Sequence, residues 1–528
     1  MKKQLVILIM MLMSIGGFAQ HGEWTWMNGD SAVNSPGHYG TQGVFDPLNS
    51  PPSNICAGAW TDLQGNFWLF GGISGYANLM EFKPSINQWA WIKGSNTISG
   101  IYGTQGLASR SNNPGMRQGF PTWVDISGNL WLFGGKGFDI NGNDGTLNDL
   151  WKYDISANMW TWMKGPDLYN NPGSYGIIGV EDSTNIPPSR YGTTASWTDD
   201  NNNLWLFGGS NQTWQDFNDL WKYNITTNNW TWMKGANTTN SGGIWGTKGV
   251  PNPSNTPNGR MAWAKWKDIN GNLWLFGGSH NFVGDKNDLW KYTIATNEWT
   301  WMSGTFRTDD TGLVSGPCIS SINNLPPCRE KNPVCWTMGG GNHFETFGGY
   351  WPYNLYTLND IWDYNVTTNE WTLITDSVYF DSPGNYGTLG VSSPTNMIMT
   401  RAESVGWKDI NGNLWVFGGG NHNSDRLNDM WRYVPDTNCF YSGIHESIPA
   451  KTKITVYPNP ASNTITIHQD NYFPNQQVII TDILGHEVYK APLTGIDNTI
   501  YLTKWSNGVY FYEVRSEKES VRGKFIKQ

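Results

Sequence analysis

The stretch NLWLFGGSNQTWQDFNDLWKYNITTNNWTWMKG, Asn203–Gly235, decides the fold of this chain. It holds three short apolar and aromatic runs, Leu204–Phe207, Asp219–Tyr223 and Trp230–Met233, which turn-forming residues separate. Such runs between turn signals predict β-strands. A fourth strand is predicted upstream, at Ala195–Trp197. Four short antiparallel strands form a small sheet that cannot bury both of its faces, so the sheet must stack on copies of itself.

The same pattern occurs six times along the chain. Each copy places two glycines after its first strand, at Gly71–Gly72, Gly134–Gly135, Gly208–Gly209, Gly277–Gly278, Gly348–Gly349 and Gly418–Gly419. These pairs follow one another at similar intervals, and such self-similarity indicates a repeat architecture. The sixth copy stops before its Trp strand, whereas Glu23–Gly29 (EWTWMNG) is a Trp strand with no copy before it. We therefore expect the N-terminal strand to complete the sixth sheet and close a ring.

These copies resemble kelch repeats in the apolar run before Gly-Gly, the aromatic pair of LWKY and the Trp that follows. The resemblance implies an all-β, six-bladed β-propeller of the kelch or galactose-oxidase-like type over residues 20–443. The fifth copy departs most, because residues 337–349 lack the LWLF run and residues 317–333 are an insertion. The loops after each Trp strand open on the same side as the diglycine turns. We call this side the long-loop face and expect it to carry the binding residues.

Both ends of the chain predict export. Residues 1–19 have the basic start, short apolar core and small-residue end of a secretory signal peptide. A polar linker at residues 444–453 precedes residues 454–528, which alternate as short strands. Three motifs there are VYPNPASNTITI from Val456, DILGHEV from Asp482 and WSNGVYFYEV from Trp505.

These three motifs resemble the type A C-terminal sorting domain of proteins exported by the Bacteroidetes type IX secretion system. The resemblance implies a small β-sandwich, the type IX machinery as a partner, and delivery across the outer membrane to the cell surface or the extracellular space. An ordinary immunoglobulin-like adhesion module is the alternative interpretation of this domain.

Composition narrows the function further. A formal net charge of −9 argues against a nucleic-acid partner. No GxSxG, HExxH or P-loop pattern is present, and we assign no catalytic residue, cofactor or metal. After the predicted signal peptide, no stretch is long and apolar enough to span a membrane. Three histidines near the diglycines, His280, His343 and His422, differ in their placement and are not assigned as a shared metal site. Cys318, Cys328 and Cys335 lie close in sequence. We expect one or two disulfides in the chain, with a pairing within that cluster, and at least one thiol left free or paired elsewhere.

Basic residues recur ahead of each innermost strand. Arg117, Arg260 and Arg401 share one spacing to the first glycine of their copies, and Arg190 lies one position further from its own. In the fifth copy, Lys331 occupies the position that this shared spacing selects. One interpretation is a ring of cations around the channel that binds a carboxylate or sulfate. The other is structural, with each side chain tying its own sheet to loop carbonyls.

Aromatic side chains on the long-loop face are candidates for stacking against sugars. The repeated rings Tyr39, Tyr102, Tyr175, Trp245 and Tyr386 are expected to pack the long loops onto the sheets. The unrepeated Trp214, Tyr350, Trp351 and Tyr353 are candidate ligand contacts.

We conclude from the sequence that the chain is an exported binding protein for a glycan or protein ligand on the long-loop face. One alternative is a carbohydrate-active enzyme, such as a sialic-acid mutarotase-like kelch propeller, that uses the Arg ring and an acid such as Glu403. Another is a structural cell-envelope or adhesin component.

Overall fold

The computed structural model describes residues 22–528 except 74–76, 95–97, 193, 262–263, 281–283, 332, 352–355, 376–379, 437–438, 440–453, 470–475, 484 and 516–519, and the side chains of 520–522. The predicted signal peptide and linker lie outside the described residues. The chain divides into two compact units, Met1–Gly443 and Ile444–Gln528. In the described ranges, none of the helical segments has the length and apolar character needed to cross a bilayer.

The first unit contains, in its described residues, six antiparallel sheets numbered here in chain order. The N-terminal strand is β1 (Glu23–Asn28), and sheet 1 holds β2 (Gly58–Thr61), β3 (Phe67–Phe70), β4 (Leu79–Lys83) and β5 (Gln88–Lys93). Sheet 2 holds β6 (Arg117–Gln118), β7 (Thr122–Val124), β8 (Leu130–Phe138), β9 (Asp144–Asp154) and β10 (Met159–Lys164). Sheet 3 holds β11 (Glu181–Asp182), β12 (Ala195–Thr198), β13 (Asn203–Phe207), β14 (Leu220–Asn224) and β15 (Asn229–Lys234).

The remaining sheets of this unit repeat the order. Sheet 4 holds β16 (Ala264–Lys267), β17 (Leu273–His280), β18 (Gly284–Thr293) and β19 (Glu298–Ser303). Sheet 5 holds β20 (Val334–Met338), a 3-10 turn at Gly339–Gly341, β21 (His343–Trp351), β22 (Tyr356–Asn365) and β23 (Glu370–Leu373). Sheet 6 holds β24 (Val405–Lys408), β25 (Leu414–Phe417), β26 (Met430–Val434) and β1. The all-β prediction is therefore confirmed, including the divergent fifth copy.

The N-terminal strand closes the ring as expected. β1 pairs antiparallel with β26, and Trp24 lies opposite Tyr433 while Trp26 lies opposite Trp431. The innermost strand of each sheet lies beside those of its neighbours, and β24 of sheet 6 lies beside β2 of sheet 1. Phe67 of sheet 1 stacks on Trp407 of sheet 6 with ring centroids 5.1 Å apart. The sheets therefore bury their aromatic faces against one another around a closed ring, and the sixth sheet has no open outer edge at β26.

The second unit is a small sandwich. One sheet contains β27 (Ile454–Tyr457), β28 (Thr464–Gln469) and β31 (Asp497–Tyr501). The other contains β29 (Gln477–Thr481), β30 (Glu487–Pro492), β32 (Gly508–Arg515) and β33 (Ser520–Lys527). Residues from both sheets share one apolar core, in which Ile467 and Ile500 pack with Val478 and Tyr512. Alternate residues along these strands therefore point inward, so that each sheet buries one of its faces.

Candidate ligand-binding site on the long-loop face

The recurrent arginines are buried in ion pairs within their own sheets. Arg190 donates to both carboxylate oxygens of Asp219, at 2.7 and 2.8 Å, and to the carbonyl of Gly208 at 2.9 Å. Both charged side chains are 0% exposed. The same bidentate pair forms in the other sheets that carry the arginine, as Arg117–Asp149, Arg260–Asp288 and Arg401–Asp429. Such pairs are charge-assisted and geometrically specific.

The rest of each pair's surroundings is also protein. Asp219 accepts hydrogen bonds from the Trp221 indole at 2.8 Å and the Tyr175 hydroxyl at 2.7 Å. The backbone carbonyl of Arg190 accepts the N–H of Gly135 from sheet 2 at 2.9 Å. Each arginine therefore holds its own sheet with its side chain and the preceding sheet with its main chain. This geometry favours the structural interpretation of the arginines and removes the anion-binding ring from the enzyme alternative.

Sheet 5 corrects one residue of the predicted series. The position equivalent to the arginines is occupied by Arg329, which pairs with Asp360 at 2.8 Å and donates to the carbonyl of Gly348. The spacing is two residues longer than the shared one. One of the extra residues lies between Arg329 and Trp336, as one does between Arg190 and Trp197 of sheet 3. The other lies in the innermost hairpin of sheet 5. Trp336 lies opposite Glu345, nine positions on, whereas Trp197 lies opposite Trp205, eight positions on. The spacing shared by the other copies therefore selects Lys331, which is not part of the ion pair.

Lys331 instead lies in a short backbone chain that links three sheets just before their innermost strands. The N–H of Glu403 donates to the carbonyl of Lys331 at 2.7 Å, and the N–H of Cys56 donates to the carbonyl of Glu403 at 3.2 Å. Burial is the main cause that raises the pKa of the Cys56 thiol, and the negative charge of Glu403 adds to it. Burial also raises the pKa of the Glu403 carboxyl. The Lys331 ammonium lies 4.0 Å from the centre of the Tyr350 ring. The structure thus brings together Lys331 and Tyr350, two residues that the sequence selected separately.

The other selected aromatics differ in exposure. Trp214 is 51% exposed and packs edge-on against Tyr191, with ring centroids 5.3 Å apart. Trp351 is only 9% exposed and stacks on Phe380, within the apolar cluster of Cys328. Trp351 is therefore a core side chain and does not offer its ring to a ligand. Tyr353 lies outside the described residues.

The repeated aromatics of the long loops have the predicted packing role. Tyr175 contacts Trp221 and Trp232, and its hydroxyl donates to Asp219. Tyr102 and Tyr386 make the equivalent hydroxyl bonds, to Asp149 and Asp429 respectively. The long loops that carry these three tyrosines are thereby fastened to the ion pairs beneath them.

Two sequence assignments concern histidine and cysteine. The three histidines contact different acids, in the pairs His280–Asp216 (3.5 Å), His343–Asp363 (3.0 Å) and His422–Asp381 (3.3 Å). The disulfide joins Cys318 to Cys439, and Cys328 and Cys335 are free thiols. The expected bridge within the Cys318–Cys335 cluster is therefore wrong. Spacing along the chain could not reveal that the ring brings residue 439 back to the fifth sheet.

A groove of about 370 Å³ opens on the long-loop face between the loops of sheets 2 and 3. It is lined by the amide residues Asn170, Asn171, Asn211, Gln212 and Asn237, the hydroxyl residues Thr146, Ser189, Thr213 and Thr239, the rings Tyr175 and Phe217, and Pro172 and Pro188. None of these described lining residues is charged. The sequence analysis missed the groove because its residues come from strand β9 and four separate loop segments. The richness of those loops in Asn was the available signal.

A second cavity, of about 350 Å³, lies along the innermost strands. Trp60, Trp123, Trp197 and Trp407 line it together with small and hydroxyl residues. Its one cation among the described lining residues is Lys265, whose pKa burial lowers to about 8 and whose ammonium donates to the Ser196 hydroxyl. The channel wall is thus built from tryptophans rather than from a ring of arginines.

Comparison with known families agrees with this architecture. The family model for the "KLHDC2/KLHL20/DRC7 Kelch-repeats domain" matches residues 179–385, and the "Kelch motif" model matches residues 410–443. The model for a "Secretion system C-terminal sorting domain" matches residues 455–528.

Individual relatives are similar to part of this chain. Kelch domain-containing protein 10 of Homo sapiens and of Bos taurus are each 26% identical over 252 residues, or 46% of this chain and 45% of theirs. Kelch domain-containing protein 3 of Bos taurus is 23% identical over 327 residues, which cover 59% of this chain and 66% of that protein. The match thus spans about half the length of the first of these relatives. A solved structure described as "Structure of YjhT" is 12% identical, with a TM-score of 0.46, and the match covers 74% of this chain and 95% of that one.

Proposed function

We propose, from the premise that this chain carries kelch repeats followed by a type IX secretion sorting domain, that it is an exported glycan-binding protein. It acts at the cell surface or in the surrounding medium. Its glycan lies in the groove between the loops of sheets 2 and 3, on the long-loop face.

The uncharged, amide-rich lining of the groove carries this proposal. Carbohydrate hydroxyls both donate and accept hydrogen bonds, and an amide side chain offers both functions at one position. The half-buried ring of Tyr175 supplies apolar surface for the C–H face of a sugar, and the buried Phe217 ring (5% exposed) supports the groove from below. A volume of about 370 Å³ lies within the range of small-ligand pockets. A charged ligand finds no counter-charge among the described lining residues, so a neutral glycan fits best.

Part of the lining is held in place before any ligand binds. The Asn211 side-chain oxygen accepts the N–H groups of Thr213 and Gln215, each at 3.0 Å, which fixes the turn that carries Trp214. Such preorganisation lowers the entropy cost of binding. Gln212 and Asn237 make no side-chain hydrogen bond to any described residue. Their amides are therefore the groups that we assign to direct contact with the sugar.

The experiment is a glycan array probed with the purified full-length chain, followed by calorimetric titration of the strongest glycan. Each neutral hydrogen bond contributes about 0.5–1.5 kcal/mol, so the double variant Gln212→Ala/Asn237→Ala is expected to bind about tenfold more weakly. Trp214→Ala tests whether a longer glycan reaches the exposed ring beside the groove.

Sheet 6 supplies a matched control. Its turn Asn421–Asp425 has the same side-chain-to-backbone bonds as the turn that begins at Asn211, and Asn423→Ala should leave binding unchanged. A chain that binds no glycan, or a double variant that binds as tightly as the natural chain, would refute the proposal.

A further inference from the structure

Three side chains able to bind a metal converge on the long-loop face between sheets 4 and 5. Carboxylate oxygens of Asp285 and Asp309 and the sulfur of Cys328 all lie within 4.8 Å of one another. In the part of the chain that the structure describes, this is the one such group of three or more His, Cys, Asp or Glu residues. Asp285 is 2% and Cys328 0% exposed, while Asp309 is half-buried.

The same three positions occur in other sheets with different chemistry. In sheet 2 they are Thr146, Asn170 and Ser189, and the Thr146 hydroxyl lies 2.9 Å from the Asn170 side-chain oxygen and 3.1 Å from the Ser189 hydroxyl. The sets of sheets 2 and 4 are structurally equivalent because the same hydrogen bond forms in both. The N–H of Thr146 donates to the Asn170 side chain in sheet 2, and the N–H of Asp285 donates to the Asp309 side chain in sheet 4. The corresponding sets are Asp216, Asn240 and Gly259 in sheet 3, Thr357, Asp381 and Thr400 in sheet 5, and Arg426, Asn34 and Ser53 in sheet 6.

Sheet 4 lacks the hydroxyl and amide side chains that hold this set together in sheet 2. Asp285 replaces the Thr146 hydroxyl of sheet 2, Asp309 replaces the Asn170 amide, and Cys328 replaces the Ser189 hydroxyl. Ionised carboxylates only accept hydrogen bonds, so the two aspartates cannot donate to each other. One oxygen of Asp285, Oδ2, has no hydrogen-bond partner although the residue is 2% exposed. In sheet 3, the equivalent Asp216 is met by the Ser210 hydroxyl and by His280. A buried carboxylate oxygen without a partner costs free energy unless a cation or donor meets it.

The charge around the cluster increases this cost. Glu330 and Asp309 place further negative charge near Asp285, and Lys331 is the cation that opposes them. Two other nearby cations have hydrogen-bond partners outside the cluster. Arg329 is held in its own ion pair, and the Lys286 ammonium donates to a backbone carbonyl at 3.1 Å. A cation bound here therefore stabilises the deprotonated carboxylates and thiolate, which are the forms that bind a metal.

We propose that Asp285, Asp309 and Cys328 bind a thiophilic divalent cation, such as Zn²⁺, as three protein ligands. One sulfur and two carboxylates suit zinc, which takes Cys and Asp ligands in tetrahedral sites, whereas Ca²⁺ and Mg²⁺ prefer oxygen alone. Three protein ligands leave one coordination position for water or an external ligand. The Cys328 thiol is available for this role because the disulfide uses Cys318 and Cys439.

The test is a titration of the reduced-thiol, full-length chain with Zn²⁺ by calorimetry, and with Co²⁺ as a spectroscopic substitute. We expect one equivalent of metal, a sulfur-to-cobalt charge-transfer band and a raised unfolding temperature. The variant Asp285→Thr/Asp309→Asn/Cys328→Ser installs the set that sheet 2 carries, so it is designed to fold. It should bind more than about 100-fold more weakly, since even residues that only orient metal ligands contribute about 10- to 100-fold.

Two further variants separate the proposal from non-specific binding. Cys328→Ser alone should abolish the charge-transfer band while the chain stays folded by circular dichroism. Cys335→Ser removes the other free thiol of the same region and should leave metal binding unchanged. The proposal is overturned if the natural chain binds neither metal stoichiometrically, if the triple variant binds equally well, or if Cys335→Ser abolishes the band. All titrations are done without glycan, so their outcome is independent of the groove.

Discussion

The substitution Asp219→Asn tests whether the buried ion pairs hold the ring together. Asp219 accepts four hydrogen bonds, two from the Arg190 guanidinium and one each from Tyr175 and Trp221. Asparagine keeps the shape of the side chain but removes its charge and replaces one acceptor with a donor. The Arg190 guanidinium, 0% exposed, is then a buried charge without a counter-ion.

The expected loss follows from that unpaired charge. Removing one partner of a buried ion pair costs about 3–5 kcal/mol. Unfolding entropy of about 2.1 cal/mol/K per residue over roughly 420 residues gives about 0.9 kcal/mol per degree, so the unfolding temperature should fall by about 3–6 °C. The double variant Arg190→Asn/Asp219→Asn installs the neutral residues that sheet 1 has at these positions, Asn54 and Asn78. It should be less destabilised than Asp219→Asn alone, because no charge is left unpaired.

The assay is differential scanning calorimetry of the purified full-length variants at pH 7. The matched control is Asp200→Asn, which removes an exposed ion pair with Lys267 (71% and 34% exposed, respectively) and should change the unfolding temperature by less than about 1 °C. A change of under one degree for Asp219→Asn would refute the reasoning. So would a double variant that is destabilised as much as Asp219→Asn alone, or more.

Three further predictions concern closure, pH and the disulfide. Deletion of Glu23–Asn28 leaves the β26 edge unpaired and should lower the unfolding temperature and cause concentration-dependent association, measured by calorimetry and light scattering; a monomer of unchanged stability would contradict ring closure. Burial raises the pKa of Glu81 to about 7, so its stability penalty appears as pH rises from the unfolded pKa towards 7. Glu81→Gln should therefore match the natural chain at pH 4 and exceed it at pH 8 by at most about 3 kcal/mol in urea unfolding, and an equal gain at both pH values would argue against the shift. Cys318→Ser/Cys439→Ser opens a long loop, with a sequence separation of 121, and should cost about 4–5 kcal/mol in the same assay, whereas an unchanged urea midpoint would show that the bond adds no stability.

Local patterns predicted the strands but not every partner. The stretch Asn203–Gly235 has its strands within about a residue of where the apolar runs place them, because alternation and turn residues act over a few neighbours. The arginine series was visible as a spacing, yet the spacing chose Lys331 over Arg329 in the one sheet with a longer hairpin. Trp351 looked like an exposed ring because nothing in its neighbours shows that Phe380 covers it.

The sequence by itself determined the repeating sheets and the closure by the N-terminal strand, because both follow from comparing one unit with the next. It also determined the change of pattern at the C-terminal domain. Only the tertiary structure decided which side chains meet on the long-loop face. Asp285, Asp309 and Cys328 meet although the whole of β19 and a long loop separate the first from the last along the chain. The physical reason is that strand formation depends on neighbours in the chain, whereas a binding site depends on loops that the ring brings side by side.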